Sequence, residues 1–390
     1  MIMDRVFRYE IPTAIEFGNG AVNFLQNHIK DLNGTRALIV TDPGVEKAGV
    51  TRIVCDVLEK ARIPYDIFNE IEPDPNIEGV MKGKELALEM NCDVILGLGG
   101  GSSLDTAKAI GLMLGNEGHI RDYVGINKVP NKGRPVIAIP TTAGTGSELT
   151  IWSVLSDKHQ KVKLSVGSSF NCPELALCDP ELTLSLPAKV TAATGMDALT
   201  HALESYVNKA TQPISEGMSL QAMKLINENL RTAVAQGDNK KARYNMLLAS
   251  LMAAMAFNST RLGLSHALAM PLGAYFHIPH GTVNAILLPE VMEFNLIGNI
   301  RKFRKIAELF DMPVEGLSPR DAAYQSVVAV RQLKQDIGIH ETLSDFGVTE
   351  QDLDLIAKEA MESGNVPVNP RLTSLDDLKN ICKAAMGMKG

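Results

Sequence analysis

The sequence predicts an α/β domain built on a parallel sheet, followed by an all-helical domain. Three observations carry this. Short β-branched runs alternate with helical stretches up to Pro187, such runs almost vanish after Lys189, and Gly- or hydroxyl-rich clusters directly follow two of the apolar runs. A chain of 390 residues is long enough for two domains with full cores. The boundary is placed near Leu186 and Pro187, giving domains 1–187 and 188–390.

In chain order, Ala37–Thr41 is a buried strand ending at Asp42-Pro43-Gly44, and Thr51–Ala61 is helical. Tyr65–Phe68 is a second strand, and Ile77–Met90 a longer helix. Asp93–Leu98 is a strand that runs into Gly99, Gly100, Gly101, Ser102 and Ser103, where a helix starts and continues to Leu114. Pro135–Pro140 is another strand. In the second half, helical patterns cover Thr191–Asn208, Ile214–Asn229, Ala242–Asn258 and Pro319–Ile337. The last has Ser318 as N-cap and Pro319 at the first helical position. Methionines concentrate in this half, as suits gap-filling between helices.

Composition narrows the function. Apolar residues make up 45% of the chain, charged residues 21%, and the net charge is −7, so neither disorder nor a nucleic-acid partner is expected. The five cysteines are odd in number and include no CxxC pair, which points away from a disulfide framework and toward a reducing cytoplasm. No apolar run reaches the roughly 18–20 residues of a membrane helix, and residues 1–11 lack the apolar core of a secretory signal.

Three clusters point to a nucleotide. Glycines at a strand-to-helix turn let a backbone approach a pyrophosphate, and the helix start offers free N–H groups. Asp42, at a strand's carboxyl end, suits a ribose 2′-OH and disfavours a 2′-phosphate, so NAD is expected over NADP. Pro140–Glu148 is a loop of small and hydroxyl residues directly after a strand. A metal is suggested by Asp197 and His201, four residues apart on one helical face. His266, His277 and His280 lie further on. Periodicity does not select among them, but one carboxylate with several imidazoles suits Fe(II) or Zn(II).

These residues resemble the iron-containing, group III alcohol dehydrogenase family along essentially the whole chain. The resemblance rests on Gly99–Lys108, Pro140–Glu148, Ala193–Glu204, Gly263–Gly273 with Ile278–Gly281, and Asn369–Arg371. It implies a Rossmann-like N-terminal domain and an all-α C-terminal domain, the fold shared with dehydroquinate synthase-like enzymes, with NAD in the cleft between. It implies Asp197, His201, His266 and His280 as ligands of Fe(II), with Zn(II) or another divalent ion in some members. Gly99, Gly100, Gly101 and Ser102 would hold the pyrophosphate, with Asp105 nearby, and Asp42 would select NAD. Thr141, Thr142, Thr145 and Ser147 would line the adenine and nicotinamide sides, and Lys163 would approach the nicotinamide ribose. The activity implied is hydride transfer between NAD(H) and a short primary alcohol or diol and its aldehyde, by a cytoplasmic homodimer or larger homo-oligomer.

Two departures stand out. Many members have a further His four residues after the ligand matching His266, where this chain has Met270, which cannot shuttle a proton. Small or apolar residues are commoner where it has Arg261. By the same resemblance Trp152, Phe257, Arg261, Leu262, Met270 and Asn365 border the substrate pocket. Arg261 raises the alternative of an anionic aldehyde or hydroxy-acid substrate. A lyase of the dehydroquinate synthase type would need several basic pocket residues, and Arg261 stands almost alone.

Overall fold

The computed structural model describes residues 6–158, 160 and 162–388. The chain divides into two compact units, Ile11–Leu186 and Pro187–Gly390, and the segment ending at Glu10 groups with the second.

The first unit is an α/β layer structure. Its strands are β1 (Ala14–Phe17), β2 (Ala37–Val40), β3 (Tyr65–Phe68), β4 (Val94–Gly99), β5 (Gly125–Ile126), β6 (Val136–Pro140), β7 (Trp152–Asp157), β8 (Val162–Gly167) and β9 (Leu175–Cys178). Its helices are α1 (Leu25–Asp31), α2 (Pro43–Lys47), α3 (Val50–Ala61), α4 (Ile77–Glu89) and α5 (Gly101–Met113). Six strands form one sheet in the order β1-β9-β6-β4-β2-β3, with every pairing parallel. Alternation along each strand supplies two cores. Ala37 and Ile39 of β2 face the layer of α1 and α3, while Leu38 and Val40 face that of α4 and α5. Both faces are covered, so these strands read as continuous apolar runs.

The sequence reading missed the second sheet, β5-β8-β7, in which β7 and β8 form an antiparallel hairpin. Polar Ser153, Ser156 and Lys163 interrupt its apolar pattern. Trp152 stands opposite Gly167, and a Cβ on that glycine would lie 2.3 Å from the indole ring, so only glycine lets the ring lie across β8.

Lys108 ties this hairpin to α5. Its side chain is fully buried, yet Nζ donates to the carbonyls of Ser147 (2.9 Å) and Trp152 and pairs with Asp105 at 3.2 Å. Asp105 in turn accepts from Ser147 Oγ (2.5 Å) and the Val154 amide (2.9 Å). The charge is tolerated because its donors are met.

The second unit is helical: α6 (Ala188–Val207), α7 (Pro213–Ala235), α8 (Lys240–Thr260), α9 (Leu264–Phe276), α10 (His280–Asn295), α11 (Ile300–Leu309), α12 (Pro319–Asp336), α13 (Leu353–Met361) and α14 (Leu375–Ala385). Ser318 caps α12 as expected, accepting from the Asp321 amide at 3.2 Å. Helix α7 runs six residues past the expected stop at Asn229. Asn229 bonds back to the Leu225 carbonyl, and Leu230 and Ala233 continue the buried face. The apolar stretch Met246–Phe257 lies within α8, and among the described residues no single helix is long and apolar enough to cross a membrane. All five cysteines are buried, and no disulfide joins any two of them.

Replacing Lys108 by Met keeps the length but strips Asp105 and two carbonyls of their partner. Chemical denaturation should show a loss of about 3–5 kcal/mol.

Candidate metal centre and nucleotide cradle

The metal candidates converge from three helices. Helix α6 is buried along nearly its whole length and places Asp197, His201 and Glu204 along one face. His266 lies in the first turn of α9, and His280 opens α10. His277 is excluded by its backbone: it adopts a left-handed conformation (φ 53°) as the C-cap of α9 and turns the chain toward α10.

One ligand atom from each of Asp197, His201, His266 and His280 lies within 4.8 Å of all the others. Asp197 Oδ1 is 3.9 Å from His201 Nε2, 3.8 Å from His266 Nε2 and 3.7 Å from His280 Nε2. The first three residues are buried and the His280 side chain is half exposed, so the cluster opens on one side. Burial raises the Asp197 carboxyl, but the three imidazoles and the Asn284 amide outweigh it and hold it below the usual carboxylate range. A buried carboxylate facing three imidazole nitrogens is a donor set that fits a divalent first-row ion.

Two residues complete this site that sequence reasoning did not assign. Glu204 Oε2 lies 2.7 Å from His266 Nδ1, and the same carboxylate accepts from the Gly263 amide (2.8 Å) and the Ser265 amide (2.7 Å). This places the proton of His266 on Nδ1 and aims the Nε2 lone pair at the cluster. Gly263 permits the approach, since a Cβ there would sit 2.8 Å from Glu204 Oε1. Asn284, one turn beyond His280, has its Nδ2 2.8 Å from Asp197 Oδ1 and 3.2 Å from Nε2 of both His266 and His280. The spacing of Glu204 three residues after His201, and of Asn284 four after His280, is the only trace either leaves in the sequence.

The expected pocket residues that belong to this unit flank the cluster in part. The Phe257 ring lies 4.5 Å from the His201 ring, and Met270 is half-buried one turn after His266. The Leu262 amide donates to Asn365 Oδ1 at 3.3 Å. Arg261 ends α8 at φ 64°, ψ −172°, a backbone region used almost only by glycine and costing other residues on the order of 1–3 kcal/mol. Its carbonyl is held there by Asn208 Nδ2 (3.1 Å) and Thr260 Oγ1 (2.7 Å). Trp152 packs across Gly167 within its own unit.

In the α/β unit, the expected nucleotide residues gather at the carboxyl ends of three adjacent strands, β6, β4 and β2. Gly99 ends β4, Gly100 is the N-cap of α5 with no side-chain cap, and the first N–H groups of α5 have no side-chain acceptor there. Thr142 lies over Gly100 and Thr145 over Gly101; a Cβ on either glycine would come within 3.2 Å of them. Thr141 pairs with Gly99 across the strand ends (2.9 Å). Asp42 caps α2 through Gly44 and Val45 and accepts from Ser103 Oγ at 3.0 Å. Ser102 Oγ donates to the Pro73 carbonyl. Asp105 and Ser147 are bonded to each other, which makes them supports of the loop. Lys163 pairs with Asp74, and burial pushes its ammonium down to about 8.

Comparison with known proteins identifies relatives along the whole described chain. The family description "Iron-containing alcohol dehydrogenase" matches residues 12–180, and "Fe-containing alcohol dehydrogenase family, C-terminal" matches residues 191–386. The chain is 42% identical to the 1,3-propanediol dehydrogenase of Citrobacter freundii, over 98% of this chain and 99% of that protein. It is also 42% identical to the NAD-dependent methanol dehydrogenase of Bacillus methanolicus, over 96% and 99% respectively. A crystal structure of a 1,3-propanediol oxidoreductase matches with TM-score 0.95 at 42% identity, covering 98% of this chain and 100% of that one.

Two outcomes follow from the geometry. Glu204→Gln should weaken divalent-metal affinity by about 10–100-fold in a competition titration against a chromogenic chelator. Glu148, buried in the loop after β6 with Oε1 unpartnered among the described residues, is pushed by burial from 4.5 up to about 7. The folded state therefore keeps this proton where the unfolded chain has lost it, and stability falls as pH rises from about 4.5 to about 7. Glu148→Gln should remove that slope, a difference on the order of 3 kcal/mol across the window in urea melts.

Proposed function

Because the chain belongs to the iron-containing alcohol dehydrogenase family, we propose that it interconverts short primary alcohols or diols and their aldehydes by hydride transfer to and from NAD, using a divalent ion held by Asp197, His201, His266 and His280. It is a metal-dependent oxidoreductase of alcohols and aldehydes. The observation that carries the site assignment is the four-residue cluster with Glu204 fixing the tautomer of one ligand. Fe(II) is the proposed ion, with Zn(II) as the second choice, since the donor set accepts either.

The bound ion supplies Lewis acidity to the substrate oxygen. The chain's own residues do the rest. Asp197 offsets part of the cation's charge, and its burial keeps that charge unscreened. Phe257 covers His201 and keeps water off that side of the ligand set. Met270 offers no proton path, so the alcohol proton leaves by water on the side of half-exposed His280.

On the nucleotide side, the uncapped start of α5 presents N–H groups to a pyrophosphate, and Gly100 and Gly101 leave it room. Asp42 Oδ1 already accepts from the Gly44 and Val45 amides, but Oδ2, bonded to Ser103 Oγ, keeps a second lone pair for a ribose hydroxyl, and the carboxylate's charge opposes a 2′-phosphate, which supports NAD. Five buried cysteines with no disulfide among them suit a reducing cytoplasm. Strand β1 is the exposed edge of the six-stranded sheet, which supports pairing with a second copy in a homodimer or larger assembly.

The test is NADH oxidation with a panel of short aldehydes, before chelation, after chelation, and after anaerobic return of Fe(II) or Zn(II). Activity should vanish with the chelator and return with metal. Activity that survives complete metal removal would overturn the assignment of the four ligands.

A further inference from the structure

Arg261 occupies a backbone position that favours glycine, and the surrounding side chains are arranged to keep it there. Its amide donates to the Phe257 carbonyl (3.0 Å), while Asn208 and Thr260 hold its carbonyl. The next two amides are also taken, Leu262 by Asn365 and Gly263 by Glu204. Strain of this kind persists only where neighbours over-determine it, and it concentrates at functional sites. A glycine would relieve it at once. The side chain present there is long, cationic and exposed, and among the described residues no carboxylate pairs with it.

Its surroundings say where it is held. The guanidinium lies against Gly364, where a Cβ would come within 2.1 Å of Nη1. The neighbouring residue is Asn365. With its Oδ1 accepting from the Leu262 amide, the Asn365 Nδ2 donor is left without a partner among the described residues. The guanidinium fork thus lies against Gly364, the residue adjoining the one that carries this amide donor. The turn that carries Arg261 is one helical turn past Phe257, whose ring packs on the metal ligand His201, and five residues before the ligand His266.

We propose that Arg261, with Asn365 beside it, binds an oxyanion group at the far end of the substrate, so that the preferred substrates are short aldehydes bearing a carboxylate or sulfonate, or the matching alcohols. Arg presents parallel N–H donors that match the paired oxygens of such groups. The proposal rests on aldehyde–alcohol chemistry at the Asp197 cluster and narrows its substrate class.

The experiment compares kcat/KM of the metal-loaded enzyme for two-, three- and four-carbon aldehydes ending in carboxylate or sulfonate with hydroxyl-ended aldehydes of equal length. Wild type should favour the anionic member. In Arg261→Gly, which relieves the strained backbone and should melt no lower, the anionic-to-neutral ratio should fall at least tenfold, mostly through KM. Arg261→Lys should restore part of it. Neutral aldehydes reduced as well as or better than anionic ones by wild type, or a ratio unmoved in Arg261→Gly, would overturn the proposal and leave the dehydrogenase reading standing. If neither series is reduced, that reading fails. Calorimetric titration of the metal-loaded protein with propionate against 1-propanol then decides the anion site: binding of propionate that is lost in Arg261→Gly upholds it, and no binding overturns it.

Discussion

Glu204 brings a negative charge into the helical unit at a point where no water can solvate it. Three bonds make this tolerable: to His266 Nδ1, to the Gly263 amide and to the Ser265 amide. Those same bonds join the last turn of α6 to the start of α9. The carboxylate therefore satisfies the uncapped first amides of one helix, sets the tautomer of the proposed ligand carried by that helix, and fixes its distance from Asp197 and His201 on its own helix. The approach needs a residue without a Cβ at position 263. The candidate metal cluster, the entry of α9 and the turn at Arg261 all depend on this one buried group.

The α/β unit handles charge in a parallel way. Lys108 is buried without loss because every donor it has meets a carbonyl or the Asp105 carboxylate. That network fastens the loop after β6 and the β7–β8 hairpin to α5, whose N-terminus is the proposed pyrophosphate position. A helix start with unpaired N–H groups is attractive to an anion only if it stays in place, and here the supports are internal to the unit. Asp105 and Ser147, residues that the family resemblance assigns to the cofactor, serve as such supports.

Two residues carry local conflict. Among the described residues Glu148 keeps an unpartnered oxygen in the core, and Arg261 holds a conformation better suited to glycine. Neither improves the fold. Each lies in a segment beside a candidate site, which is where natural chains accept such conflict.

Periodicity in the sequence determined the βαβ order, the long helices and their burial, because the 2.0 and 3.6 repeats report which side of an element faces inward. It also determined that Asp197 and His201 share a face, and that glycines stand where strand β4 becomes helix α5. It could not separate His266 and His280 from His277, because that choice turns on a single left-handed residue between two helices. The hairpin β7–β8 stayed hidden because polar Ser153 in its first strand is buried by bonds to the Asp105 carbonyl and Asn171 Nδ2, partners 48 and 18 positions away. Glu204 and Asn284 acquire their roles only when α6, α9 and α10 meet. A local repeat tells a residue which way to point, and only packing decides what it finds there.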